Sequence, residues 1–136
     1  MRALKKGFTL IELLIVLSII AALMSVATPV GINALAQAKA TNVAGNFRTL
    51  YQAVVQMLML EQNPPTSGDI LDYLVKNNYI STKPNGFEIT YKVENGKEFY
   101  RIRYINSDVD VLKVKSVNTM ISLDESNKLI IDIPRK

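Results

Sequence analysis

The 136-residue chain contains no cysteine, no histidine and no tryptophan. Without cysteine, no disulfide can staple the fold, so any exported domain must hold by packing alone. Without histidine, the chain lacks the commonest acid/base group near neutral pH and the commonest metal ligand. A glycine-rich phosphate loop and a nucleophile elbow are also missing. The paired acids that remain are Asp69 with Asp72, Asp108 with Asp110, and Asp124 with Glu125. Turn and cap chemistry explains each pair. Asp108 and Asp110, or Asp124, Glu125 and Asn127, offer oxygen ligands of the kind Ca²⁺ takes, but their spacing matches no recognised loop and solvated turns are the plainer reading. No catalytic residue, no cofactor and no metal site are expected, and the chain reads as not an enzyme.

Charge is scarce at one end. From Gly7 to Ala38 the only ionisable side chain is Glu12. The 23 residues of 8–30 form an apolar run that would be about 35 Å long as a helix, enough to cross a ~30 Å hydrocarbon layer. Arg2, Lys5 and Lys6 precede it and hold that end in the cytoplasm, so the C-terminal part should be translocated. Those three cations also account for most of the formal net charge of +4: without them 13 basic residues stand against 12 acidic ones. The positive balance is therefore poor evidence for nucleic-acid binding. A secretory signal peptide would have a shorter apolar core and a small-residue cleavage site after it. Ala21-Ala22 fits such a site, but Glu12 within the core and the continuation to Val30 argue against it.

Glu12 is the unexpected residue. An ionised carboxylate in hydrocarbon costs several kcal/mol unless it is paired or protonated. Within this segment a positive charge can only be made, by cutting after Gly7 so that Phe8 carries a free α-amino group. The stretch Lys5-Lys6-Gly7-Phe8-Thr9-Leu10-Ile11-Glu12 resembles the leader and cleavage site of type IV prepilins and of type II secretion pseudopilins. The resemblance implies cleavage between Gly7 and Phe8, N-methylation of Phe8, and a role for Glu12 in subunit assembly. It also implies the partners: copies of this chain and related pilins in a helical filament, a prepilin peptidase/methyltransferase, and an inner-membrane assembly platform. The subunit would be a single-pass inner-membrane protein before assembly, then part of an extracellular pilus or a periplasm-spanning pseudopilus. The resemblance is tight over about residues 1–35 and architectural beyond.

The expected organisation follows the chain. Residues 1–7 are the leader and 8–30 the membrane or filament-core helix. Pro29 and Gly31 mark a helix break, because proline leaves the Ser25 carbonyl without its helical partner. By resemblance the stretch before Pro29 unwinds in filaments; for the isolated subunit, an intact helix with a kink is the expectation. Residues 31–62 form an amphipathic half, with Val43, Phe47, Leu50, Val54 and Leu58 at three- and four-residue spacing. Met57, Met59 and Leu60 broaden that face. Residues 63–86 are a connection with a short helix, capped by Ser67 or Asp69. Residues 87–136 form the sheet. Phe87, Ile89, Tyr91 and Val93 alternate with polar residues, Asn95-Gly96 is a hairpin signal, and Phe99 to Ile105 returns. Val109 to Val117 is a third strand candidate, and Met120–Leu123 with Leu129–Ile133 make a last hairpin. The fold class is α+β: a long N-terminal helix packed on a C-terminal antiparallel sheet of four or five strands.

A basic patch is the remaining candidate site. Arg101 and Arg103 share one strand face, and Lys113 and Lys115 share one face of the third strand candidate. Together they could touch DNA phosphates, as in a competence pilin. The plainer reading is a wet sheet face with Glu88 and Glu94 as cross-strand partners.

Overall fold

The computed structural model describes residues 7–135, so the leader cations Arg2, Lys5 and Lys6 lie outside the described residues. Seven elements follow in order: α1 (Leu10–Leu60), α2 (Ile70–Lys76), β1 (Phe87–Glu94), β2 (Lys97–Tyr104), α3 (Val111–Val117), β3 (Ser122–Leu123) and β4 (Leu129–Pro134). The four strands form one antiparallel sheet in the order β1-β2-β4-β3. The chain divides into two compact units, one up to Ala36 and one from Gln37 onward.

In the first unit every residue from Gly7 to Leu35 is exposed. The helix is apolar on all sides, so it has no wet face to turn outward. It runs unbroken through Pro29 and Gly31, so the break marked at those residues is not expressed in this structure. Its two serines are satisfied within the helix: the Ser18 hydroxyl donates to the Leu14 carbonyl at 2.8 Å and the Ser25 hydroxyl to the Ala22 carbonyl at 2.7 Å. Internal pairing of this kind lets a hydroxyl sit in an apolar medium at low cost.

The second unit has the core. The α1 residues Ala40, Val43, Ala44, Phe47, Leu50, Ala53, Val54 and Met57 are buried at three- and four-residue spacing. They meet the inner face of the sheet, whose cross-strand rows are Ile89–Ile102–Ile131 and Tyr91–Tyr100–Ile133. Phe47 packs edge-on against Phe87 with ring centroids 5.0 Å apart. Met57 belongs to this core, but Met59 and Leu60 do not: they are 80 % and 69 % exposed. Their apolar chemistry suggested core, yet at about 100° per residue they lie on the flanks of the helix, away from the sheet.

Local chemistry sets the connections. Asp69 caps α2 by accepting the Asp72 N–H at 3.1 Å, so of the two cap candidates Asp69 is the one used. The helix ends in a Schellman turn: Asn78 has φ of 61°, the Tyr79 N–H reaches the Leu74 carbonyl at 2.9 Å, and the Asn78 N–H reaches Val75 at 3.2 Å. Asn95 and Gly96, with φ of 54° and 77°, make the two-residue β1–β2 turn.

The third strand candidate is a helix. Asp110 accepts the N–H groups of Leu112 and Lys113 and starts α3 over Val111–Val117. As a strand, Lys113 and Lys115 would have shared a face with Val109, Val111 and Val117. As a helix, Val111, Val114 and Val117 recur every three residues, and Val114 is fully buried. Lys113 and Lys115, two positions apart, no longer share a face.

Gly86 is required by its surroundings. Its φ is +82°, its carbonyl accepts the Ile105 N–H at 2.7 Å, and a Cβ there would lie 2.5 Å from the Asn106 side-chain nitrogen and 2.9 Å from the Tyr104 ring. Gly45, in α1, has no left-handed backbone, and a Cβ added there would meet nothing within 4 Å. Thermal unfolding of the full chain in detergent should therefore separate the two: Gly86→Ala loses about 1–3 kcal/mol, whereas Gly45→Ala gains up to about 1 kcal/mol.

Candidate functional site

The residues singled out at the N-terminus are placed by the start of α1. Gly7 and Phe8 precede the helix and are exposed, Phe8 to 80 %. The Gly7–Phe8 bond is thus outside the hydrogen-bonded helix, and a peptidase can engage it without unwinding a turn. Thr9 stands at the cap position. Its hydroxyl accepts the Glu12 N–H at 3.1 Å and donates to the Glu12 carboxylate at 3.1 Å, while its carbonyl accepts the Leu13 N–H. The Thr-x-x-Glu spacing is a capping-box signal, and it could have placed this helix start from the sequence. It gives Glu12 a partner within its own chain and places a negative group in the first helical turn, where the helix dipole favours it. A hydroxyl satisfies one oxygen but cancels no charge, and among the described residues no cation pairs with the carboxylate.

Residues 2–28 match the family described as the prokaryotic N-terminal methylation motif. The chain carries a class III signal peptide, the kind found on type IV pilins and pseudopilins. No curated protein and no solved structure gave a match. The class III motif covers Gly7, Phe8, Thr9 and Glu12 and most of the apolar run, and stops before the sheet-bearing unit. Beyond residue 28 the pilin-like character is architectural: the second half of α1 lies on a four-stranded antiparallel sheet.

The outer face of that sheet places the candidate basic residues differently. The Arg101 guanidinium grips Asp132 through two bonds, Nε to Oδ1 at 2.8 Å and a terminal nitrogen to Oδ2 at 3.1 Å. Arg103 bridges Asp124 and Glu88, each at 2.9 Å. Glu88 is thus the cross-strand partner expected; Glu94 is not, and Asp124 and Asp132 arrive from sequence positions that no local pattern indicated. The cluster holds three carboxylates and two guanidiniums, while Lys113 and Lys115 sit on α3 and take no part in its ion pairs. Arg101 and Arg103 are thus both paired with carboxylates of their own chain.

The acidic turns are also spoken for. Asp108 accepts the Tyr104 hydroxyl at 2.6 Å and pairs with Lys39 at 3.1 Å. Asp110 caps α3, and Asp124 takes the N–H groups of Ser126 and Lys128, both at 2.9 Å, besides Arg103. Among the described residues no three acidic side chains converge as a cation site. At the C-terminal end of α1, Glu61 accepts the hydroxyls of Tyr73 and, at 2.6 Å, Tyr79, tying α1 to α2 and to the connection after it. No sequence signal pointed to this contact, which joins residues far apart in the chain.

These pairings make the second unit's stability depend on pH at both ends. The Tyr104 hydroxyl and Lys39 hold Asp108 below the usual carboxylate range, and Lys83 does the same for Asp69. Burial works against Asp124, but the Lys128 N–H and Arg103 outweigh it and lower its pKa. A lowered pKa stabilises the fold above the unfolded value near 4 and is lost as pH falls through the folded value. The hydrogen bond to Glu61, with burial, pushes Tyr79 up to about 12. That contribution is full below the unfolded value near 10 and is lost as pH rises from about 10 to 12. Thermal unfolding of the full chain in detergent should be flat from about pH 5 to 9 and fall on either side. Tyr79→Phe should lessen the fall on the alkaline side alone.

Proposed function

We propose that this chain is a structural subunit of a type IV pilus-like filament, assembled from the inner membrane after its leader is removed. The observation that carries the reading is the first unit: a helix apolar on every side that buries nothing against its own chain, begun by a single acid. Such a helix needs a bilayer before assembly and like helices after it. In this reading the prepilin peptidase/methyltransferase cuts Gly7–Phe8 and methylates the Phe8 amine. The new ammonium of one subunit then pairs with Glu12 of a neighbour, so that each docking event cancels two charges that apolar surroundings penalise. Ser18, Ala21, Ala22, Ser25 and Ala27 allow the helices to approach closely. Pro29 and Gly31 are the place where the helix can yield during packing. An assembly platform in the inner membrane and copies of related pilins complete the partner set. Pseudopilins of type II secretion carry the same signal, and long surface fibres as opposed to short periplasmic ones distinguish the two uses.

Mass spectrometry of the protein from its own cells should find a chain beginning at N-methylated Phe8; a chain still beginning at Met1 overturns the reading. Glu12→Ala should be processed and inserted like the parent but assemble poorly, since the unpaired ammonium costs about 3–5 kcal/mol per contact. Normal fibres from that variant would remove the pairing role.

A further inference from the structure

Three overlapping triplets with a small residue at each end follow the apolar run: Ala34-Leu35-Ala36, Ala36-Gln37-Ala38 and Ala38-Lys39-Ala40. Membrane-bound peptidases of the secretory route read such a triplet after an apolar segment and cut behind its last residue. Ala21-Ala22 lies inside the run, whereas these triplets lie beyond it.

The structure separates the three. Ala40 is fully buried in the core of the second unit, and Lys39 before it is tied to Asp108 at 3.1 Å. The third triplet is therefore closed. Ala34, Leu35, Gln37 and Ala38 are exposed and Ala36 is half-buried. The second triplet would be cut between Ala38 and Lys39, at the residue that Asp108 holds. The first would be cut between Ala36 and Gln37, where the chain divides into its two units. A peptidase needs an extended substrate, and α1 is helical here. Opening it costs little at this place. From Gly31 to Ala38 no residue is buried, so only the helix's own bonds hold the segment. Gly31 and Asn33 are also weak helix formers. With residues 8–30 across the hydrocarbon, Ala36 stands about 9 Å past Val30, just outside the bilayer. The cut spares the second unit, whose buried core residues all lie at Ala40 or later.

We propose that the Ala36–Gln37 bond is a second cleavage site, cut on the outer side of the membrane by a peptidase that reads small side chains at 34 and 36. Water adds across the amide, leaving a carboxylate on Ala36 in the membrane and a free amine on Gln37 of a released unit, residues 37–136. An ordinary secretory signal has an apolar core of about 7–15 residues. The 23 here hold the chain in the membrane more firmly, so the cut takes the smaller share of subunits. Subunits thus have two exits, a filament and a soluble sheet-bearing unit. The inference goes beyond the filament reading and needs only its membrane orientation, not Glu12 or the Phe8 amine.

Mass spectrometry of the soluble fraction outside the inner membrane, from the protein's own cells, should find a chain beginning at Gln37. Ala36→Leu spoils the first two triplets together and keeps a good helix former in place. It should lower the released unit severalfold at an equal amount of anchored chain. Leu35→Ala changes the residue that is not read and should release as much as the parent. No chain beginning at Gln37, an undiminished one from Ala36→Leu, or an equal loss from Leu35→Ala overturns the proposal and leaves the filament reading in place. A membrane-bound chain that still begins at Met1 fails the filament reading, while release at Gln37 would still uphold this one.

Discussion

The structure depends on a segment that cannot be buried by its own chain. From Leu10 to Leu35 the helix exposes Leu, Ile, Val and Met side chains on every side. At about 25 cal/mol per Å² of apolar surface, leaving such a helix in water is among the most costly things a chain this short could do. Every residue from Gly7 to Leu35 is exposed. A bilayer or neighbouring helices must supply what the fold does not, and a class III signal motif with an apolar helix fits an inner-membrane anchor.

The later half of α1 solves a different problem. A four-stranded sheet with one apolar face is unstable until something lies on it. Phe47, Leu50, Val54 and Met57 provide that layer, and Tyr100 and Ile102 at the sheet's centre are fully buried beneath it. One helix therefore has two solvents, lipid or protein for its first part and a sheet for its second. No disulfide is available to fasten the two sides, and the closures are instead polar: Glu61 with two tyrosines, Arg101 with Asp132, and Arg103 with Glu88 and Asp124. These fix the register of the outer elements more than they add stability, since exposed pairs contribute at most about 1 kcal/mol each.

Glu12 connects the two levels. In the isolated subunit it is held by the Thr9 hydroxyl in the first turn of the helix. That arrangement is adequate near an interface, where water and the helix dipole share the charge. It is inadequate in a dry bundle of apolar helices, where a counter-charge becomes worth several kcal/mol. In the filament proposed above, the same carboxylate would be comfortable before assembly and demanding during it.

Features governed by local rules are legible from the order of residues alone. The apolar run and its lone acid, the period of the buried α1 face, the Asn95-Gly96 turn and the alternation of β1 and β2 each depend on neighbours within four residues. Local rules fall short where two of them compete. Valine-rich residues 109–117 read as strand until Asp110 is seen capping them as a helix, and Met59 and Leu60 read as core until they are seen turned away from the sheet. Which charges are free is a matter for the folded arrangement. Arg101 and Arg103 carry the same formal charge as Arg48, yet Asp124 and Asp132 reach the first two and leave the third exposed at the rim of a groove. Coulomb interactions act through space, and the sheet brings Asp132 to Arg101 from 31 residues away along the chain.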